Sequence, residues 1–179
     1  MSRSASHWIW MLSVAALGLA VEASAGPDFS GSSDLIEPNG FPGICTQPCY
    51  IAGIETEVWL PTNPDNPLPA AGTNTYIYKV THTGGSGPFI PALLNFELAV
   101  DLTEVVATGH LATSGGVAPS SVDTLNGVVT WTFDPVSIAN GESSKLLYIH
   151  SPLLPGAINN NAASVAGQAG LDAPGSCLG

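Results

Sequence analysis

The sequence predicts an all-β protein, a single antiparallel β-sandwich of about seven strands behind a cleaved leader. Three observations carry that expectation. Apolar side chains recur at every second position in 74–83, 93–100 and 128–133, the period of a half-buried strand. The 179 residues include 20 Gly and 15 Pro, which punctuate the chain too often for long helices. Beyond the leader, no segment keeps a helical apolar period over several turns.

Residues 1–25 read as a secretory signal peptide. Met1-Ser2-Arg3 is short and positive, and Trp8 to Val21 is apolar apart from Ser13 and Gly18. Ala23-Ser24-Ala25 then offers the small side chains that a leader peptidase accommodates, placing the cut before Gly26. A membrane-spanning helix needs about 20 apolar residues; this run is shorter and meets Glu22. No cysteine stands at the cut, so lipid anchoring is not expected. The expected product is extracytoplasmic, periplasmic or secreted, with no stable membrane anchor after cleavage.

Residues 26–53, GPDFSGSSDLIEPNGFPGICTQPCYIAG, are expected as an irregular cysteine-containing arm, leaving 54–179 as the sandwich domain. Cys45, Cys49 and Cys177 are the disulfide candidates, because an exported chain meets oxidising conditions. A local Cys45–Cys49 ring and a long clip from either one to Cys177 both remain open. The three-residue spacing fits neither a zinc site nor a redox Cys-x-x-Cys motif.

The strands follow in order. ETEVWL at 55–60 is rich in β-formers and stops at Pro61. PTNPDNPLP at 61–69 carries too many prolines for regular structure. Asn63, Asp65 and Asn66 suggest calcium ligands only superficially, since the glycine and distal glutamate of a calcium loop are missing; a turn is expected. In NTYIYKVTHT, Tyr76, Tyr78, Val80 and His82 share one face. GGSG at 84–87 turns the chain into LLNFELAV, where Leu94, Phe96, Leu98 and Val100 share a face. EVVATGHL at 104–111 is a weaker candidate, and TSGGVAPSSVDTLNG at 113–127 reads as a long loop. Asn126-Gly127 signals a tight turn into VVTWTF, with Val129, Trp131 and Phe133 on one face. Asn140-Gly141-Glu142-Ser143 turns into KLLYIH at 145–150, and one edge strand is expected around 157–165.

Charge and chemistry then narrow the function. Net charge is −11, and Lys79 and Lys145 are the only basic side chains beyond the leader. Binding that depends on neutralising phosphates is thereby disfavoured, so no nucleic-acid partner is expected. His82, His110 and His150 each fall near a strand end, where convergence with a carboxylate such as Glu104 would build a metal site. None has a close ligand spacing, so neither metal nor cofactor is expected. The Gly84-Gly85-Ser86-Gly87 run is one residue out of register with Gly-x-Ser-x-Gly and sits in a hairpin-type turn, not a strand-to-helix elbow. Trp131 is expected in the core, whereas Trp59 stands beside the Pro-rich turn with its ring partly exposed.

Residues 74–156 resemble a module recurrent in exported bacterial proteins, including many with PEP-CTERM sorting tails. The resemblance lies in Tyr76-Ile77-Tyr78-Lys79-Val80, Phe96-Glu97-Leu98, Val129-Thr130-Trp131-Thr132-Phe133, Gly141-Glu142-Ser143 and a strand ending at Ser151-Pro152. It implies an immunoglobulin-like sandwich with surface or matrix association and no catalytic residues. The final residues APGSCLG lack the Pro-Glu-Pro motif, apolar helix and basic cluster of those tails, so a released product is expected. The function expected is therefore a non-enzymatic structural, surface or protein-interaction module, its protein or polysaccharide partner unspecified. The alternatives are a carbohydrate- or metal-binding accessory protein or hydrolase, and a fimbria-like subunit.

Overall fold

The computed structural model describes residues 25–36, 51–84, 92–100, 102–154 and 163–168. The leader up to residue 24, the three cysteines with their candidate disulfides, and Gly85-Ser86-Gly87 lie outside the described residues. Nine strands are described: β1 (Phe29–Ile36), β2 (Ile51–Trp59), β3 (Asn74–Gly84), β4 (Ala92–Ala99), β5 (Ala107–His110), β6 (Ser121–Leu125), β7 (Val128–Thr132), β8 (Leu147–Ser151) and β9 (Ala163–Gln168). They form two antiparallel sheets, of five strands in the order β1-β2-β3-β8-β5 and of four in the order β6-β7-β4-β9. The described residues are all-β apart from one 3-10 turn at Leu102–Glu104, and the two sheets share one core, an arrangement consistent with a β-sandwich.

That core is assembled by strand alternation. Ile54 and Val58 from β2, Tyr76, Tyr78 and Val80 from β3, and Leu147 and Ile149 from β8 meet Leu93, Phe96 and Leu98 from β4 and Val129 and Trp131 from β7. Tyr78, Phe96 and Trp131 form its centre. Their ring centroids lie 6.0 Å (Tyr78–Phe96), 6.3 Å (Tyr78–Trp131) and 5.5 Å (Phe96–Trp131) apart, within the range in which aromatic pairs add to simple burial. Trp131 is fully buried, as its alternation with Val129 and Phe133 predicts.

Several expectations change. The stretch 26–53 is not wholly an irregular arm, because Phe29–Ile36 pairs along its length with Ile51–Val58. The long loop at 113–127 contains β6, which pairs with β7 around Asn126-Gly127; both turn residues have positive φ, 53° and 81°, as a two-residue hairpin loop requires. In β4 the register shifts between Leu93 and Asn95. This irregularity puts Leu93 rather than Leu94 in the core alongside Phe96 and Leu98. The weak candidate at 104–111 narrows to β5, and the tail strand is β9, at the edge of the four-stranded sheet.

The Pro-rich segment after β2 is a cover for the outer face of the five-stranded sheet. Thr75 and Ile77 point away from the shared core and are nevertheless buried. Above Thr75, Asn66 Nδ2 donates to Thr75 Oγ1 at 3.2 Å, and Thr75 Oγ1 donates to the Leu68 carbonyl at 2.9 Å. Trp59 on the same face is only 8% exposed, and its Nε1 donates to Glu57 Oε2 at 3.0 Å. The ring is therefore packed, where partial exposure was expected.

Candidate functional site

The three histidines do not converge. His82 shares the inner face of β3 with Tyr78 and Val80 and is fully buried. On β5, His110 stands opposite Leu147, a core residue, whereas His150 stands opposite Ala107, one position out of phase. His82 and His110 therefore point to the inner side of the sheet, and His150, whose ring lies 5.0 Å from that of Tyr148, to the outer side. A site using all three is ruled out by this geometry. Among the described residues, no group of three or more His, Cys, Asp or Glu side chains is placed to hold a metal ion.

His82 is buried beneath the 138–144 loop. Its backbone clasps that loop in both directions, with His82 N–H donating to the Glu142 carbonyl at 3.0 Å and Gly141 N–H donating to the His82 carbonyl at 2.8 Å. Neither imidazole nitrogen has a hydrogen-bond partner among the described residues. Burial pushes its pKa below the ordinary histidine value, against the opposing pull of the Gly84 and Ile138 carbonyls, which stand near but outside hydrogen-bond geometry. Burial lowers the His150 pKa in the same direction.

Among the described residues, a candidate binding site is an open groove of about 760 Å³ beside Lys79, on the outer side of β3. Ser114, Gly116, Glu142, Ser143 and Leu146 help line it. Three separated segments build its wall. Ser144 N–H donates to the Val80 carbonyl at 2.7 Å, Val117 N–H to the Ser143 carbonyl at 2.9 Å, and Lys145 N–H to the Val117 carbonyl at 2.8 Å. Gly116 has φ +101°, and a Cβ there would lie 2.5 Å from the Ser144 carbonyl oxygen and 2.6 Å from that of Ser143. Only glycine lets the two backbones approach this closely.

The groove's hydroxyls are engaged in holding it together. Ser144 Oγ accepts from Val80 N–H at 3.0 Å, and Ser114 Oγ accepts from Leu146 N–H at 2.9 Å while donating to the Leu111 carbonyl at 2.8 Å. Thr81 Oγ1 and Ser143 Oγ share a hydrogen bond of 2.8 Å. No imidazole is among the lining groups, whose titratable side chains are Lys79 and Glu142. Lys79 Nζ lies 3.3 Å from Glu55 Oε2, with both side chains substantially exposed; such a pair contributes about 0–1 kcal/mol. Lys145 Nζ donates to the Ala112 and Ser114 carbonyls, fixing the groove's far wall.

Sequence reasoning did not find this groove. Its residues come from positions 79, 114–117 and 142–146, and no local motif joins them. Gly115-Gly116 was the available signal, and it read simply as loop. No described helix is long and apolar enough to cross a membrane. No protein-family model, curated protein or solved structure matches the chain.

Proposed function

We propose that the chain is an exported, non-enzymatic β-sandwich protein of immunoglobulin-like topology, serving as a structural or protein-interaction module. The observation that carries this reading is strand order. The run β2-β3-β8-β5 is antiparallel throughout and has the arrangement of the A-B-E-D sheet of an immunoglobulin domain. On this reading the β4–β9 pair stands for C and F, with the β6–β7 hairpin inserted between D and E in chain order. β1 extends the first sheet, and the β6–β7 hairpin extends the second beyond β4.

Chemistry supports the same reading. Serines around the groove hold backbone together, and the histidines are divided between two faces of one sheet. The enclosed aromatic centre favours a self-sufficient domain over a fimbria-like subunit, which would leave an apolar groove for a donated strand.

The test is to express the whole chain with its own leader in a bacterial host and fractionate the culture. The reading expects a processed product in periplasm or medium that turns over no ester or glycoside in a manner abolished by Ser143→Ala. A product retained in the cytoplasm with its leader intact, or turnover lost in that variant, overturns it.

A further inference from the structure

We infer that leader cleavage between Ala25 and Gly26 creates a structural cation, the Gly26 α-ammonium, seated beside the carboxylates of Asp65 and Asp28. The inference rests on the export reading above and assigns a role to the residue that processing exposes. Ala25 to Asp28 is bound across the loop that follows β2. Ala25 N–H donates to Asp65 Oδ2, the Gly26 carbonyl accepts from Asn63 Nδ2 at 3.1 Å, and Asp28 N–H donates to the Val58 carbonyl at 2.9 Å. Asp28 Oδ2 accepts from Leu60 N–H at 2.8 Å and from Asn63 Nδ2 at 3.0 Å. The Gly26 nitrogen lies between the Ala25 N–H, fastened to Asp65, and its own carbonyl, fastened to the Asn63 amide that also holds Asp28, and the cut removes the Ala25 donor and frees that Asp65 oxygen.

Cleavage consumes one water. The Ala25 carbonyl carbon leaves with the leader as a carboxylate, and the Gly26 nitrogen keeps an amine that takes up a proton at neutral pH. A peptide N–H with one donor is exchanged for an ammonium with three. Hydrogen bonds from a charged donor are roughly twice as strong as neutral ones. Glu57, next to Val58 on β2, is engaged by the Trp59 indole. No described lysine competes there, since Lys79 faces Glu55 and Lys145 faces the groove. Removal of the leader therefore adds a charge where the fold already presents acceptors.

The test uses the exported product. Its intact mass identifies the first residue. Reductive methylation with 13C-formaldehyde then labels the α-amine together with Lys79 and Lys145, and NMR follows the α-dimethylammonium signal through a pH titration, folded and in urea. The expected midpoint is higher in the folded protein by about half a pH unit, falling toward the urea value in Asp65→Asn and at high salt. Asp34→Asn, at the far end of β1, leaves the difference intact. Equal midpoints in the folded and unfolded wild type overturn the ion pair while leaving export standing. A mass that begins at another residue overturns the cut itself.

Discussion

The indole of Trp131 donates to the carbonyl of Gly109 at 2.9 Å, tying β7 of the four-stranded sheet to β5, an edge strand of the five-stranded sheet. One side chain thus fills the core centre and holds an edge strand in place. Trp131→Phe removes the donor and part of the volume while keeping a ring. It is expected to cost about 1–3 kcal/mol, and Trp131→Ala about 3–5 kcal/mol. Urea unfolding midpoints measure both; an unchanged slope shows that stability alone has moved.

Gly109 is constrained from its other side as well. A Cβ at this position would lie 2.8 Å from the Tyr148 hydroxyl oxygen and 2.9 Å from two ring carbons, because Tyr148 stands directly opposite Gly109 in the ladder and lies across it. Gly109→Ala is expected to destabilise by about 0.5–1.5 kcal/mol, since the ring must turn away. In Tyr148→Ala the same substitution should cost nothing or stabilise. A double-mutant cycle reads this coupling directly, and additive effects would contradict the contact.

Two glycines separate backbone strain from collision. Gly141 has φ +84° with open space around its missing side chain, whereas Gly116 combines φ +101° with backbone oxygens in the way. Gly141→Ala is expected to cost about 1–2 kcal/mol, from backbone conformation alone. Gly116→Ala should cost clearly more, because the 115–117 and 143–144 segments must separate. Thermal unfolding of the pair supplies the comparison.

Acid should weaken the fold through the buried His82 and the half-buried His150. His82 and His150 both have native pKa values below the ordinary 6.5, so the unfolded chain binds protons more readily than the native one. Their contribution is fully present above pH 6.5 and is lost as pH falls from there through the lowered native values. Unfolding free energy measured from pH 7.5 to 5 should decline across this window. His82→Leu should flatten the decline, and an unchanged slope in that variant would place the effect elsewhere.

Legibility in the sequence followed burial. β3, β7 and β8 were readable because alternate side chains enter the core, as Tyr76, Tyr78 and Val80 do on β3. β1 and β6 were not: both are edge strands, with 29–34 exposed and SVDTL largely so, so no alternation marks those stretches and pairing partners define them. The Asn126-Gly127 turn was visible, but the strand before it was not. Leu93 replaced Leu94 in the core because a register shift is a tertiary feature, not a compositional one. The groove was illegible for a related reason. Lys79, Gly116 and Ser143 come together only after β3 and β8 have paired.

The most direct test of the interaction-module account is photo-crosslinking from the exported protein on living cells. A photoreactive residue replaces Ser114, in the groove, or Asp123, exposed on β6 of the other sheet. The account predicts a discrete protein adduct from at least one of the two positions. No adduct from either position while the protein remains exported and folded would contradict it.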